Sequence, residues 1–224
     1  MFAGEPDRDC PLCPRLAAFR KEWRAKEPSW HNAPVPTFGD PDARLAIVGL
    51  APGLRGANRT GRPFTGDYAG GLLYRTMLEF GFAVGNYEAR PDDGLTLVDA
   101  AIVNAVRCVP PENKPTPAET TTCRHFLVAT LAAMPRLAAV LALGRIAHES
   151  TVTAHGMKRS AAPFSHGATH TVRRGLTLYD SYHCSRYNTN TRVLTEEMFR
   201  DVFREIRRRL GDLAPDRLAR RPEG

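Results

Sequence analysis

Long apolar runs, lysine and the common nucleotide and hydrolase signatures are what this sequence lacks. No stretch reaches the run of about 18 apolar residues that a membrane-spanning helix needs. The opening MFAGEPDRDC is polar and acidic, the reverse of a secretory leader. The glycine-rich stretch near residue 53 contains neither G-x-x-x-x-G-K-[ST] nor G-x-G-x-x-G, so a nucleotide-phosphate cradle has no support. There is no G-x-S-x-G elbow, no H-E-x-x-H and no second paired carboxylate in the polar loops. Lysine occurs only as Lys21, Lys26, Lys114 and Lys158. Cysteine is scarce and odd in number, with Cys10, Cys13, Cys108, Cys123 and Cys184. An odd count without a secretory leader argues against a disulfide scaffold.

What is present suits a globular enzyme-sized chain. The 224 residues are 42% hydrophobic and 25% charged, enough for one domain with a full core. The net charge is +7, and all but four of the 31 basic residues are arginine. Such a surplus favours a polyanionic partner, most often nucleic acid, although composition bias alone also produces it. Cys10 and Cys13 form a C-x2-C pair, and Cys108 and Cys123 flank the proline-rich stretch VPPENKPTP. Four thiolates can hold a [4Fe–4S] cluster or a zinc ion, and spacing does not choose between them. Ordinary buried thiols or a redox pair are the plain alternatives.

Four aliphatic runs punctuate the chain: RLAIVGLAPG from Arg44, AAIVNAVRC from Ala100, LAAVLALG from Leu137 and LTLYDSYH from Leu176. Each reads as a buried strand ending in a polar loop. Helices are expected after them, over about 72–80, 117–134, 146–155 and 195–210. A short N-terminal helix carries the apolar stripe Leu12, Leu16 and Phe19, before Pro28, Pro34 and Pro36 break the chain. Strand, loop and helix repeating four times predicts an α/β fold, a three-layer α/β/α sandwich on a central four-stranded, mainly parallel sheet. The chain reads as a single domain over 1–224, with an irregular N-terminal segment to about 40 and a basic tail from about 211. In such sheets the site lies beyond the carboxyl ends of the strands. Three loops there are unusually polar: 53–71, 104–117 and 182–190.

The first loop holds six glycines, three arginines and one carboxylate, Asp67. A lone carboxylate in a basic setting can orient a water, and it can equally cap the helix that follows. Phe64, three residues earlier, is either a flat face for a base or a core aromatic. The last loop offers His183, able to donate to a developing anion or to serve structurally. Ser185 and Arg186 behind it can contact phosphates or form a solvated turn. Cys184 adjoins His183, but neighbours on an extended strand end point opposite ways, which disfavours a Cys–His dyad.

Together these loops point to a family. GLAPGLRGANRTGRPFTGDYAGG closely resembles the first motif of the uracil-DNA glycosylase superfamily, and more narrowly that of its family 5, type b enzymes. HCSRYN at 183–188 resembles the superfamily's late motif, H-P-S-x-x-N in most members. CPLCPR and VRCVPPENKPTP, with Cys123 beyond, match the cysteines of its iron–sulfur branches. The resemblance runs from about Cys10 to Leu210. It implies a DNA repair enzyme that removes uracil, with hypoxanthine and xanthine as further candidate bases, by hydrolysis alone. It assigns Asp67 to the attacking water, His183 to charge on uracil O2 and Phe64 to stacking on the flipped base. Backbone near Ala51 and Gly53 lines the pocket, and Ser185, Arg186, Tyr187 and Asn188 enter the duplex. Cys10, Cys13, Cys108 and Cys123 become ligands of a [4Fe–4S] cluster. Asn104 joins the catalytic set, at a position where the family carries asparagine in some members and alanine in others. Cys184 departs from the pattern, replacing the usual proline. The implied partner is DNA carrying uracil or another deaminated base. The implied setting is a monomer in the cytoplasm of a prokaryote, at the nucleoid. The rival readings are a catalytically silent iron–sulfur DNA-binding protein and a zinc-bound nucleic-acid module.

Overall fold

A computed structural model describes residues 2–211; the tail expected beyond Gly211 lies outside the described residues. In chain order the elements are α1 (Pro14–Lys26), β1 (Phe38–Gly39), β2 (Leu45–Gly49), α2 (Ala57–Thr60), α3 (Tyr68–Glu79), β3 (Ala83–Val84), β4 (Thr96–Leu97), β5 (Ala100–Asn104), α4 (Pro117–Ala132), β6 (Ala139–Leu143), α5 (Arg145–Ala154), β7 (Thr169–Arg173), β8 (Leu176–Ser181), α6 (Arg186–Asn190) and α7 (Glu196–Leu210). The main sheet has six strands in the order β1-β5-β2-β6-β8-β7, and β3 and β4 pair separately.

The four expected strands form the parallel centre of this sheet. β2 pairs with β5 and β6, and β6 with β8, with Val48 opposite Val103 and Leu141 opposite Tyr179. Every residue of β2, β5 and β6 is buried, which is why those segments read as continuous aliphatic runs rather than alternating ones. Leu45, Ile47, Ala100 and Ile102 face a core covered by α3 and α7, which contribute Leu73, Met77, Phe199 and Phe203. Ala46, Val48, Ala101 and Val103 face the opposite core under α4 and α5, with Leu127, Leu131 and Val152. The two cores are the two interfaces of the α/β/α sandwich.

The sheet is wider than four strands because an antiparallel strand closes each edge. β1 lies on β5, with Phe38 opposite Ile102. It is two residues long in a proline-broken segment and carries no periodic signal. β7 lies on β8 in a hairpin turned at Arg174 and Gly175. Its residues alternate between half-buried and exposed, as an edge strand with a solvated face must.

Helix ends follow side-chain chemistry. Thr116 and Glu119 form a capping box on α4, and Thr195 caps α7 ahead of Glu196 and Glu197. The N-terminal helix departs from its expected stripe. Leu12 precedes α1 and is 49% exposed, Phe19 stacks edge-on with Trp23, and the fully buried positions are Leu16 and Arg20. The reason is what α1 covers: a small cluster of Val106, Cys108 and Cys123 rather than a broad apolar surface.

Candidate active site

The loops after β2, β5 and β8 meet at the carboxyl edge of the parallel strands around a cavity of about 300 Å³. Ala51, Gly53, Phe64, Asp67, Asn104, His183, Ser185 and Arg186 all line it. Residues from three loops, 53–71, 104–117 and 182–190, therefore converge on one pocket.

Strand register builds the floor. Gly49 pairs with Asn104 across β2 and β5. A Cβ on Gly49 would stand 2.4 Å from the Asn104 amide oxygen and 2.8 Å from the Phe64 ring, so only glycine leaves both side chains their places. Phe64 is buried and holds a left-handed backbone, with φ 52°. This conformation is costly for an aromatic residue and persists where the surroundings enforce it. The enforcement is visible. Tyr87 donates to the Phe64 carbonyl at 3.0 Å and Tyr74 donates to the Pro63 carbonyl at 2.6 Å. Gly70 lets α3 pass close beneath, since a Cβ there would overlap the Phe64 carbonyl. Buried Arg62 braces the same loop through a two-pronged pair with Asp93 at 2.7 and 2.8 Å and a bond to Thr65 at 2.7 Å.

Asp67 caps the helix that follows it and also lines the pocket. As the N-cap of α3, its Oδ1 accepts from the Gly70 N–H at 3.2 Å. Its Oδ2 lies against Gly53 and Gly56, where added Cβ atoms would sit 3.4 and 2.6 Å away. The carboxylate is open at the pocket mouth, yet the enclosing protein raises its pKa above 3.8, with the Gly70 and Ala69 N–H groups opposing that rise.

His183 stacks on Phe64, with ring centroids 5.9 Å apart and planes inclined at 28°. Burial pushes its pKa down to about 4, so the imidazole is neutral above that pH. Asn188 holds the histidine's backbone: its side-chain amide donates to the His183 carbonyl at 2.8 Å. Ser185 caps α6 by accepting from the Asn188 N–H at 3.3 Å. Arg186 and Tyr187 face outward; the Arg186 guanidinium lies 5.2 Å from the Tyr68 ring centre, and Tyr187 is 73% exposed. Cys184 turns the other way. It is wholly buried in the core beneath α3, where its sulfur donates to the Ala69 carbonyl at 3.5 Å.

Asn113 also lines the pocket, and motif reading did not single it out. It sits in the proline-rich loop with φ 57°, directly after Glu112 at φ 55°. Two consecutive left-handed residues in PPENKP turn that loop over the pocket. The available signal was an asparagine, among the non-glycine residues most tolerant of this conformation, inside a proline-framed turn.

A second site lies beneath α1. Cys10, Cys13, Cys108 and Cys123 line one enclosed cavity together with Leu16 and Phe126. All four are free thiols. The Arg107 N–H donates to the Cys123 sulfur at 3.3 Å and the Arg20 guanidinium to the Cys108 sulfur at 3.2 Å. Donors aimed at sulfur suit thiolate ligands better than neutral thiols, and burial raises the pKa of metal-free Cys108 to about 11 and of Cys123 to about 12. The residues present therefore fit a bound metal group. A third cluster, His148, His170 and Asp180, is a hydrogen-bonded network: Asp180 pairs with His148 at 2.7 Å and with His170 at 3.2 Å.

A doubly covered parallel sheet with an aromatic, histidine and carboxylate pocket at its carboxyl edge is the architecture of an α/β enzyme. Residues 36–207 match the family model described as the uracil DNA glycosylase superfamily, and the chain belongs to that family. It is 46% identical over 208 residues to the type-5 uracil-DNA glycosylase of Thermus thermophilus, covering 90% of this chain and 94% of that one. The type-5 enzyme of Pyrobaculum aerophilum is 39% identical over 200 residues, 88% of this chain and 87% of its own. That of Mycobacterium bovis is 38% identical over 211 residues, 90% of this chain and 78% of its own. No helix among the described residues is long and apolar enough to cross a membrane.

Proposed function

We propose that this protein hydrolyses the N-glycosidic bond of uracil in DNA and leaves an abasic site. One observation carries the reading: Phe64, Asp67, Asn104 and His183 line a single pocket sized for one flipped base. Extruding a base from the stack costs a few kcal/mol, less for a mismatched U·G pair. Phe64 stacks on the extruded base, and the amides of Asn104 and Asn113 meet its edge. Bond breaking leaves a cationic sugar and an anionic base. The free Asp67 oxygen stabilises the cation and aligns the attacking water. Neutral His183 donates to uracil O2 as negative charge develops there, the type of contact worth about 10²–10³ in rate. Arg186 and Tyr187, exposed on the rim, enter the duplex, while Ser185 and Asn188 hold the loop that presents them. Other deaminated bases, hypoxanthine and xanthine among them, enter the same pocket. The setting is DNA in the cytoplasm of a prokaryote.

Among the described residues no lysine lines the pocket, so none of them places an amine to attack the sugar and cleave the strand. Cys10, Cys13, Cys108 and Cys123 hold a [4Fe–4S] cluster. When bound, that group would tie the N-terminal segment to the stretch after β5 and to the second turn of α4, which flank the loop carrying Asn113.

The test is base release from synthetic duplexes containing uracil, hypoxanthine, xanthine or a thymine mismatch, under single-turnover conditions. Free uracil and an alkali-labile site are expected. DNA binding without release of any base would overturn the enzyme reading in favour of a silent DNA-binding protein.

A further inference from the structure

The inward face of α1 carries a buried cation. Arg20 is 3% exposed, its Nη1 donates to the Cys108 sulfur at 3.2 Å and its Nη2 to the Cys10 carbonyl at 3.0 Å. Its Nε is buried with no partner. Among the described residues no carboxylate forms an ion pair with it; exposed Asp9, whose pKa the Arg20 charge helps to lower, is paired with Arg24. Arg107, next to Cys108 in the chain, differs: its guanidinium is paired with Glu5 at 2.9 Å, and only its backbone N–H reaches sulfur. A guanidinium keeps its proton in proteins, and burying it without a directly paired counter-charge is strongly unfavourable. The group that Arg20 faces is sulfur. Four iron-bound thiolates supply the negative charge the site requires; four neutral thiols do not.

We propose that Arg20 is the counter-charge of the cluster: a positioning residue, not a ligand, that retains the bound cluster and shifts its reduction potential in the positive direction. The proposal rests on the cluster reading given above. A fixed cation stabilises the more negative member of a redox couple, here the product of [4Fe–4S]²⁺ + e⁻ → [4Fe–4S]⁺, and net charge, burial and hydrogen bonds to sulfur are what set such potentials. Arg20 meets all three conditions, being charged, buried and bonded to sulfur.

The experiment uses anaerobically purified full-length protein in three variants. Arg20→Lys keeps the charge, Arg20→Gln keeps a neutral N–H donor and Arg20→Met keeps neither. Iron and acid-labile sulfide per chain are measured first, then the midpoint potential by mediated spectroelectrochemistry, with the electrode supplying the electron. The rate of iron loss to a chelator is followed in parallel. Potentials are expected to become more negative in the order wild type, lysine, glutamine, methionine. Iron loss from Arg20→Met should be faster by about tenfold or more, the scale of one charge-assisted hydrogen bond. If Arg20→Met fails to load iron, the lysine and glutamine variants decide. Wild-type potentials and iron-loss rates in iron-loaded Arg20→Gln would overturn the proposal, even if that variant melts at a lower temperature. Wild-type protein that holds zinc or no metal would refute the cluster reading, and the assignment of Arg20 with it.

Discussion

Replacing Asp67 by asparagine keeps a helix cap and removes a charge, and replacing it by alanine removes both. The structure lets these effects be separated, because one carboxylate oxygen caps α3 while the other faces Gly53 and Gly56 at the pocket. Asparagine caps a helix as well as aspartate, whereas alanine costs about 1 kcal/mol. For a domain of this size that lowers Tm by about 2–4 °C. The sign of the charge effect follows from the raised pKa of Asp67. A carboxyl whose pKa is higher folded than unfolded opposes folding above both values, so a neutral isostere relieves that cost. Asp67→Asn is therefore expected to melt at or above the wild-type temperature at neutral pH, and Asp67→Ala, which gains the same relief but loses the cap, about 2–4 °C below Asp67→Asn. Both should slow single-turnover uracil release by about 10² or more, since neither retains a charge to stabilise the sugar cation. The assays are calorimetry and quenched base release at saturating enzyme. A near-wild-type rate in Asp67→Asn, with loss only in the destabilised Asp67→Ala, would refute the catalytic reading and leave Asp67 as a cap.

His183→Ala should slow release by about 10²–10³, the loss of one donor to the leaving base; an unchanged single-turnover rate would make the histidine structural. Activity should fall on the acid side as Asp67 protonates, at a pH above the 3.8 of an ordinary aspartate, and no limb should appear near 6.5, because His183 is already neutral there. A pH–rate profile of the cleavage step checks both, and a limb near 6.5 that vanishes in His183→Ala would contradict the assignment. Borohydride should trap no enzyme–DNA adduct, as no pocket residue carries an amine; a strand nick without added alkali would show otherwise. Serine at Cys10, Cys13, Cys108 or Cys123 should give colourless, poorly folded protein. Cys184→Ser should remain brown and active, since its thiol packs under α3 in a separate core. Iron per chain decides between these outcomes.

The central strands and the loops that carry chemistry can be read from the residues alone. A strand buried on both faces must be apolar at every position, so β2, β5 and β6 are legible as unbroken aliphatic runs. A loop that must bend tightly and approach a base must be rich in glycine, so 53–71 is legible too. The edge strands were not, because β1 is two residues long and β7 is half solvated. Which distant residues meet is set by the packed fold. Nothing in the local pattern says that Gly49 lies beside Asn104; that is a matter of register between β2 and β5. Nor does spacing bring Cys10 and Cys13 to Cys108 and Cys123; the packing of α1 through Leu16 and Arg20 does so. The left-handed backbone of Phe64 depends on hydroxyls from Tyr74 and Tyr87, and Asn113 reaches the pocket through a turn in which two non-glycine residues have positive φ. Periodicity and composition record what each segment does with its own neighbours. Contacts between segments far apart in the chain are selected by the packing of the whole core, and the geometry of the pocket is made of those contacts.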